Sequence, residues 1–197
     1  MVNEFKIGSF TIGKGYRPFI VAEMSGNHNQ SIDRALKIVK AAAGSGAHAI
    51  KLQTYTADTM TMKGALTITD KNSLWYGREL YELYQEAYTP WEWHKEIFEY
   101  ANSLGLIAFS TPFDESAVDF LEELKAPVYK VASFENTDLP LLKKIAQTGK
   151  PVIISTGAST IGDMHEAVKT LRDNGCKELV LLKCTSTYPA PPSSINL

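Results

Sequence analysis

No apolar run in the sequence approaches the roughly 20 residues needed to span a membrane. The first residues, MVNEFKIGSF, contain no basic stretch leading into an apolar one. Neither a spanning helix nor a secretory leader is predicted, and a cytoplasmic setting fits. Cysteine is scarce: Cys176 and Cys184 are too few and wrongly spaced for a four-ligand zinc site. Without a secretory signal a disulfide between them is disfavoured, so both are read as reduced, with Cys184 in the core. Of the four histidines, His94 and His165 fall on predicted helices with solvated faces and His48 enters a strand from the end opposite the site, which leaves no cluster of metal ligands. An excess of either charge is also missing. A formal net charge of −2 over 197 residues gives no electrostatic footprint for nucleic acid or an anionic membrane. Low-complexity linkers are absent as well, and the apolar fraction of 44% is that of one ordinary globular domain.

What the chain does contain is a repeated unit. Residues 4 to 13, EFKIGSFTIG, place Gly-Ser between two apolar runs and predict a β-hairpin. Phe19 to Asn29, FIVAEMSGNHN, is an apolar run that reaches Glu23 and then breaks into a polar turn, as a buried parallel strand does where it opens into a loop. A helix capped at Asn29 or Ser31 follows to Gly44. His48 to Gln53 predicts the second strand, with Lys51 and Gln53 on one face and Ile50 and Leu52 on the other. A long connection from Thr54 to Pro90, rich in aromatic residues, separates it from a helix ending near Ser103. Further strands are expected at Leu106 to Ser110, Val128 to Val131, Pro151 to Ile154 and Leu179 to Lys183, each followed by a helix except the last.

Six strand-then-helix units with polar strand ends favour an α/β, TIM-type (β/α) barrel over an open sheet. An eight-stranded barrel takes roughly 250 residues, so the repeat is read as truncated after the sixth strand, with residues 1 to 197 forming the N-terminal part of such a barrel. In parallel α/β proteins ligands bind at the C-terminal strand ends. Those ends hold Glu23, Lys51, Thr111, Lys130, Ser133, Ser155 and Ser186. Two ammonium groups ringed by hydroxyls suit a phosphate or a carboxylate. The alternative is structural: Lys51 pairs with Glu23, and the hydroxyls cap helices. Asn27 and His28 lie in the turn after Glu23, and a loop histidine of this kind suits a hydrogen-bonding or substrate-contacting group. Asp114 reads as a helix cap.

FIVAEMSGNHN, IKLQTYTADTMT, FSTPFDESAVDFL, YKVASFENTDLPLL, PVIISTGAST and CTSTYPAPPSSINL occur in the order and spacing of a known family. On these six motifs, which span essentially the whole chain, the sequence resembles the sialic acid synthase (nonulosonic acid synthase) family of phosphoenolpyruvate-condensing barrels. EMSGNHN and LYELYQEAYTPWEWH are most similar to the branch that makes pseudaminic acid.

The resemblance implies condensation of phosphoenolpyruvate with 2,4-diacetamido-2,4,6-trideoxy-L-altrose to give pseudaminic acid and phosphate. The neuraminate- and legionaminate-forming branches are the nearest alternatives, and a catalytically silent anion-binding module is the alternative of another class. It implies that Lys51, Gln53, Thr111, Phe113, Lys130, Ser133, Ser155, Ser186 and Tyr188 hold phosphoenolpyruvate. Glu23 is then the catalytic acid facing the sugar, with Asn27 and His28 beside it. A divalent metal, manganese or magnesium, is implied for the complete enzyme, its histidine ligands lying beyond the sixth strand. A C-terminal antifreeze-like domain and a homodimer are implied for the complete enzyme too. Neither the ligands nor that domain is in this sequence, and the chain alone is expected to be an inactive fragment.

Overall fold

The computed structural model describes residues 4–186 and 190–195. In chain order the elements are β1 (Phe5–Ile7), β2 (Phe10–Ile12), β3 (Val21–Glu23), α1 (Ile32–Gly44), β4 (Ala49–Thr54), α2 (Ala57–Met60), α3 (Leu80–Ala87), α4 (Trp91–Ser103), β5 (Ile107–Pro112), α5 (Glu115–Glu123), β6 (Tyr129–Val131), α6 (Leu139–Gln147), β7 (Val152–Ser155), α7 (Ile161–Asp173) and β8 (Leu179–Leu182). β1 and β2 form an antiparallel hairpin, and β3 to β8 follow one another as parallel strands in chain order. That is the strand order of consecutive units of a TIM-type barrel. The chain divides into two compact units, Phe19–Ala108 and the combination of Met1–Pro18 with Phe109–Leu197.

In the Phe19–Ala108 unit, β3 and β4 pair in a register that sets Glu23 opposite Lys51. Ile50 and Leu52 are fully buried, as are Ala35 and Val39 of α1 and Ile97 of α4. α1 packs against α4. Ser31 caps α1 by accepting from the Arg34 amide at 3.3 Å, which satisfies one of the unbonded first-turn donors. The connection from Thr54 to Pro90 is not the uninterrupted loop its length suggests: it holds α2 and α3. Thr56 and Thr59 cap α2 reciprocally, and Gln30 closes α3 by donating to the Glu86 and Tyr88 carbonyls at 3.0 and 2.7 Å.

In the other unit, β6 and β7 pair through Tyr129 to Val131, and β7 pairs with β8 through Val152 to Ser155. The interior is built from Val128, Tyr129, Val131, Leu142, Ile145 and Val152, all at 0% exposure. The Tyr129 hydroxyl donates to Glu122 at 2.5 Å, and Glu122 also takes the Lys150 ammonium at 2.6 Å. Asp114 caps α5 as expected, accepting from the Ser116 and Ala117 amides at 2.7 and 3.1 Å. A short 3-10 turn, Phe134–Thr137, intervenes between β6 and α6.

Two expectations fail. Cys184 is only half-buried, whereas Cys176 is buried; both are free thiols. His94 is not on a solvated face. It has no exposure, and its ring nitrogens meet the Thr54 hydroxyl at 2.9 Å and the Pro90 carbonyl at 3.2 Å. The reason is its register: His94, Ile97, Phe98 and Ala101 form one stripe at helical spacing, all buried. His165 is exposed, as expected.

Burial pushes His94 down to about 4 from its ordinary 6.5. Between those values the unfolded chain binds a proton that the folded chain refuses, so stability falls as pH drops from about 6.5 toward 4 and levels below it. The full loss from this group is on the order of 3 kcal/mol. Urea unfolding between pH 7 and pH 5 should show a falling midpoint, and His94→Gln should flatten that dependence. An unchanged slope in the variant would assign the effect to other groups.

Candidate active site

At the end of β3 the chain enters a turn, residues 24 to 30, in which Ser25, Asn29 and Gln30 adopt positive φ of 49°, 48° and 53°. Left-handed backbone at three non-glycine residues is costly, and such strain collects where geometry serves a site. Gly26 sits where a β-carbon would come 3.1 Å from the Ala87 carbonyl, so the absence of a side chain lets the turn lie closely against the end of α3. Within this unit Glu23 is 53% exposed along its side chain and forms an ion pair of 2.8 Å with Lys51, itself only 8% exposed. The structural alternative for Lys51 is therefore present. A half-solvated pair contributes at most about 1 kcal/mol, so it holds the ammonium in place without fixing Glu23 to it. Gln53 is half-buried at the end of β4. Asn27 donates from its side chain to the Met24 carbonyl at 2.9 Å.

Of the two roles expected of it, hydrogen bonding or substrate contact, His28 takes the first within the protein. It is fully buried, its Nε2 lies 3.1 Å from the Thr89 hydroxyl, and its Nδ1 accepts from the Gln30 amide at 3.2 Å. Trp93 packs edge-on against the ring. Burial holds its pKa below the usual histidine range, which keeps the imidazole neutral. Both ring nitrogens are used inside the protein, so His28 braces the turn that carries Asn27.

The second set of residues gathers at the ends of β6, β7 and β8. Lys130, 8% exposed, donates to the Ser155 hydroxyl at 2.5 Å and to the Val131 carbonyl at 2.7 Å. These two acceptors fix the direction of the ammonium. Ser155 also receives the Cys184 thiol at 3.1 Å. Ser133 and Ser186 converge on Gly157, where a β-carbon would fall 2.8 Å from the Ser133 hydroxyl and closer still to that of Ser186. The missing side chain at Gly157 leaves the space in which three strand ends present hydroxyls together. Asn136 bonds the Ser155 carbonyl at 3.3 Å and the Ser159 hydroxyl, tying the turn after β6 to the turn after β7. Thr111 is buried in β5, and Phe113 is half-buried just after it. Tyr188 lies outside the described residues.

Sequence reading missed Glu135 in this unit. One of its oxygens is buried without a hydrogen-bond partner, and burial raises its pKa while the nearby Lys130 charge pulls it down. Desolvation thus disfavours the charged form of this carboxyl while the Lys130 ammonium favours it. Its signal was available in the motif ASFEN, two residues past Ser133, but a glutamate opening a turn ordinarily reads as a solvated helix end. Among the described residues no group of three or more His, Cys, Asp or Glu is placed to hold a metal ion. No helix among them is long and apolar enough to cross a membrane.

Consecutive parallel βα units whose strand ends present buried lysines and clustered hydroxyls define a barrel-type chain. The chain belongs to the NeuB family, whose model matches residues 38–197. It is 44% identical over 193 residues to the pseudaminic acid synthase of Campylobacter jejuni subsp. jejuni serotype O:2, covering 98% of this chain and 56% of that protein. Against the pseudaminic acid synthase of Helicobacter pylori it is 45% identical over 181 residues, covering 91% and 53%. The crystal structure of N-acetylneuraminic acid synthetase from Leptospira borgpetersenii serovar Hardjo-bovis in complex with citrate superimposes with a TM-score of 0.88 at 26% identity, covering all of this chain and 64% of that one. The chain spans about half the length of the curated relatives it matches.

Replacing Lys130 with methionine removes the charge that pulls the Glu135 titration down. Carbon-detected NMR titration of the Glu135 carboxyl should give a higher midpoint in Lys130→Met than in the parent chain. A midpoint that stays put would place the two groups out of electrostatic reach.

Proposed function

We propose that this chain carries phosphoenolpyruvate-binding and sugar-facing residues of a nonulosonic acid synthase of the pseudaminic branch, which joins phosphoenolpyruvate to 2,4-diacetamido-2,4,6-trideoxy-L-altrose. The observation that carries this reading is the Lys130 ammonium held by Ser155 beside the hydroxyls of Ser133 and Ser186 around Gly157. Its likeness to two pseudaminic acid synthases at 44% and 45% identity supports the branch. The neuraminate-forming reaction is the second reading, favoured by the structural likeness to the Leptospira synthetase.

Bond changes balance as follows. C3 of phosphoenolpyruvate attacks the sugar aldehyde carbon, forming the new carbon–carbon bond while the aldehyde oxygen takes up a proton. Water adds at C2 and loses a proton, and the tetrahedral intermediate then breaks its C2–O bond to phosphate, which carries off the C2 hydroxyl proton and leaves a ketone at C2. In the unit containing β6 to β8, Lys130, Ser133, Ser155 and Ser186, with Thr111 and Phe113, bind the phosphoenolpyruvate anion. Preorganised donors of this kind stabilise charge as it moves onto the departing phosphate. In the Phe19–Ala108 unit, Lys51 and Gln53 are assigned to phosphoenolpyruvate, and Glu23 and Asn27 to the sugar.

The activity implied by the family resemblance includes a divalent metal, manganese or magnesium, which polarises the aldehyde as a Lewis acid. The described residues do not supply a donor set for it, and every step above is assigned without one. A homodimer and a cytoplasmic location complete the proposal for the whole synthase.

Isothermal titration of the chain with phosphoenolpyruvate should show binding that Lys130→Ala weakens at least tenfold, equivalent to about 1.4 kcal/mol. Combining it with Lys51→Ala should abolish binding. Gly157→Ala, which pushes the Ser133 and Ser186 hydroxyls apart, should weaken it with the fold intact by circular dichroism. A double lysine variant that binds as well as the parent would defeat the assignment.

A further inference from the structure

Just past the C-terminal end of β4, inside the Phe19–Ala108 unit, lies a cavity of about 340 Å³ lined by Thr56, Ala57, Asp58, Tyr81, Gln85 and Tyr88. Its size falls at the lower end of small-molecule sites, which run from about 300 to 1,000 Å³. None of the residues lining it is a lysine, arginine or histidine. The Tyr81 hydroxyl donates to Asp58 Oδ1 at 2.9 Å, which fixes the carboxylate and leaves Oδ2 to accept from something else. Neither the Gln85 amide nor the Tyr88 hydroxyl has a side-chain hydrogen bond among the described residues, so both donor and acceptor capacity remain at the cavity wall. Thr56 and Thr59 satisfy one another in the α2 cap. The aromatic residues give apolar surface: Tyr81 is buried, and behind the cavity Tyr55 meets Tyr84 edge-on with centroids 5.7 Å apart.

The chemistry is the opposite of that around Lys130. A fixed carboxylate, an amide and a phenol, with ring faces between them, match hydroxyl and acylamino groups carried on a C–H framework. The local field is negative: Asp58 and Glu79 both act on the Tyr81 hydroxyl, which the Asp58 hydrogen bond above all holds up from its usual range. A phosphate placed in the cavity would meet that field with no cation to answer it.

We propose that this cavity is a saccharide subsite for a neutral, acylamino-bearing arm of the sugar acceptor, with Gln85 and Tyr88 as its specificity-determining residues. The inference rests on the reading of the chain as part of a sugar-condensing synthase, and it adds where the sugar's uncharged substituents are recognised. Gln85 is exposed and Tyr88 half-buried, so each can be changed without opening the core.

The test titrates the isotopically labelled chain, followed by amide NMR, with four probes: phosphoenolpyruvate, 2,4-diacetamido-2,4,6-trideoxy-L-altrose, N-acetylmannosamine and N-acetylmannosamine 6-phosphate. The altrose derivative should shift the amides of Asp58, Tyr81, Gln85 and Tyr88. Gln85→Ala and Tyr88→Phe should each weaken it at least fivefold and leave phosphoenolpyruvate affinity unchanged. The 6-phosphate should bind at least tenfold more weakly than N-acetylmannosamine, and Asp58→Asn should narrow that gap. Retained phosphoenolpyruvate binding with no shifts at the cavity, or with sugar affinity indifferent to both variants, overturns the subsite and spares the synthase reading. Equal affinity for N-acetylmannosamine and its 6-phosphate overturns it as well. Loss of the synthase reading is seen separately, as a failure of the parent chain to bind phosphoenolpyruvate.

Discussion

An ammonium group inside a parallel strand must be kept solvated by polar groups and held in one orientation, and the arrangement around Lys130 does both. Burial of a charge costs several kcal/mol unless polar groups surround it. Here they come from the ends of successive strands: the Ser155 hydroxyl of β7, the Val131 carbonyl of β6, and the serines converging on Gly157. The surrounding architecture follows from that requirement. Strand ends must be adjacent to deliver the hydroxyls, which parallel βα repetition achieves, and the turns after them must be tied together, which Asn136 achieves by bridging Ser155 and Ser159. Glu135 stands in the same turn, its carboxyl pushed up by burial and pulled down by the Lys130 charge.

The Phe19–Ala108 unit solves a related problem with an ion pair. Because Glu23 stands opposite Lys51 in the β3–β4 register, backbone pairing itself sets the two charges side by side. The buried face of β4, Ile50 and Leu52, anchors the strand, so that the polar face is held by packing. The turn that follows is strained at three residues and is braced from below by His28, whose neutral ring is bonded at both nitrogens.

Much of this was legible from residue order. Alternation within HAIKLQ placed Lys51 and Gln53 on the face opposite Ile50 and Leu52, and Ser31 and Asp114 marked helix starts by their side-chain chemistry. What was not legible depended on packing partners distant in sequence. His28 looks like a loop histidine until Thr89, 61 residues away, closes over it. His94 looks solvated if its polarity is weighed above its position on the Ile97, Phe98 and Ala101 stripe. Glu135 carries no local pattern, because its importance comes from the desolvation that the folded turn imposes. The helices within the Thr54 to Pro90 connection were hidden by its many aromatic and polar residues, which blur a short helical period.

That connection has a further consequence for how such a chain can diversify. Its C-terminal end is clamped to the strained turn at three points: Gly26 against Ala87, Gln30 to the carbonyls of Glu86 and Tyr88, and His28 to Thr89. Its outer part is not built the same way, since Met62, Leu66, Leu74, Trp75 and Tyr76 are all exposed. Insertions, deletions and substitutions between residues 62 and 76 can therefore accumulate without moving Glu23 or Lys51. Sequence change can thus be absorbed in the outer segment while the strand-end charges stay where the β3–β4 register sets them.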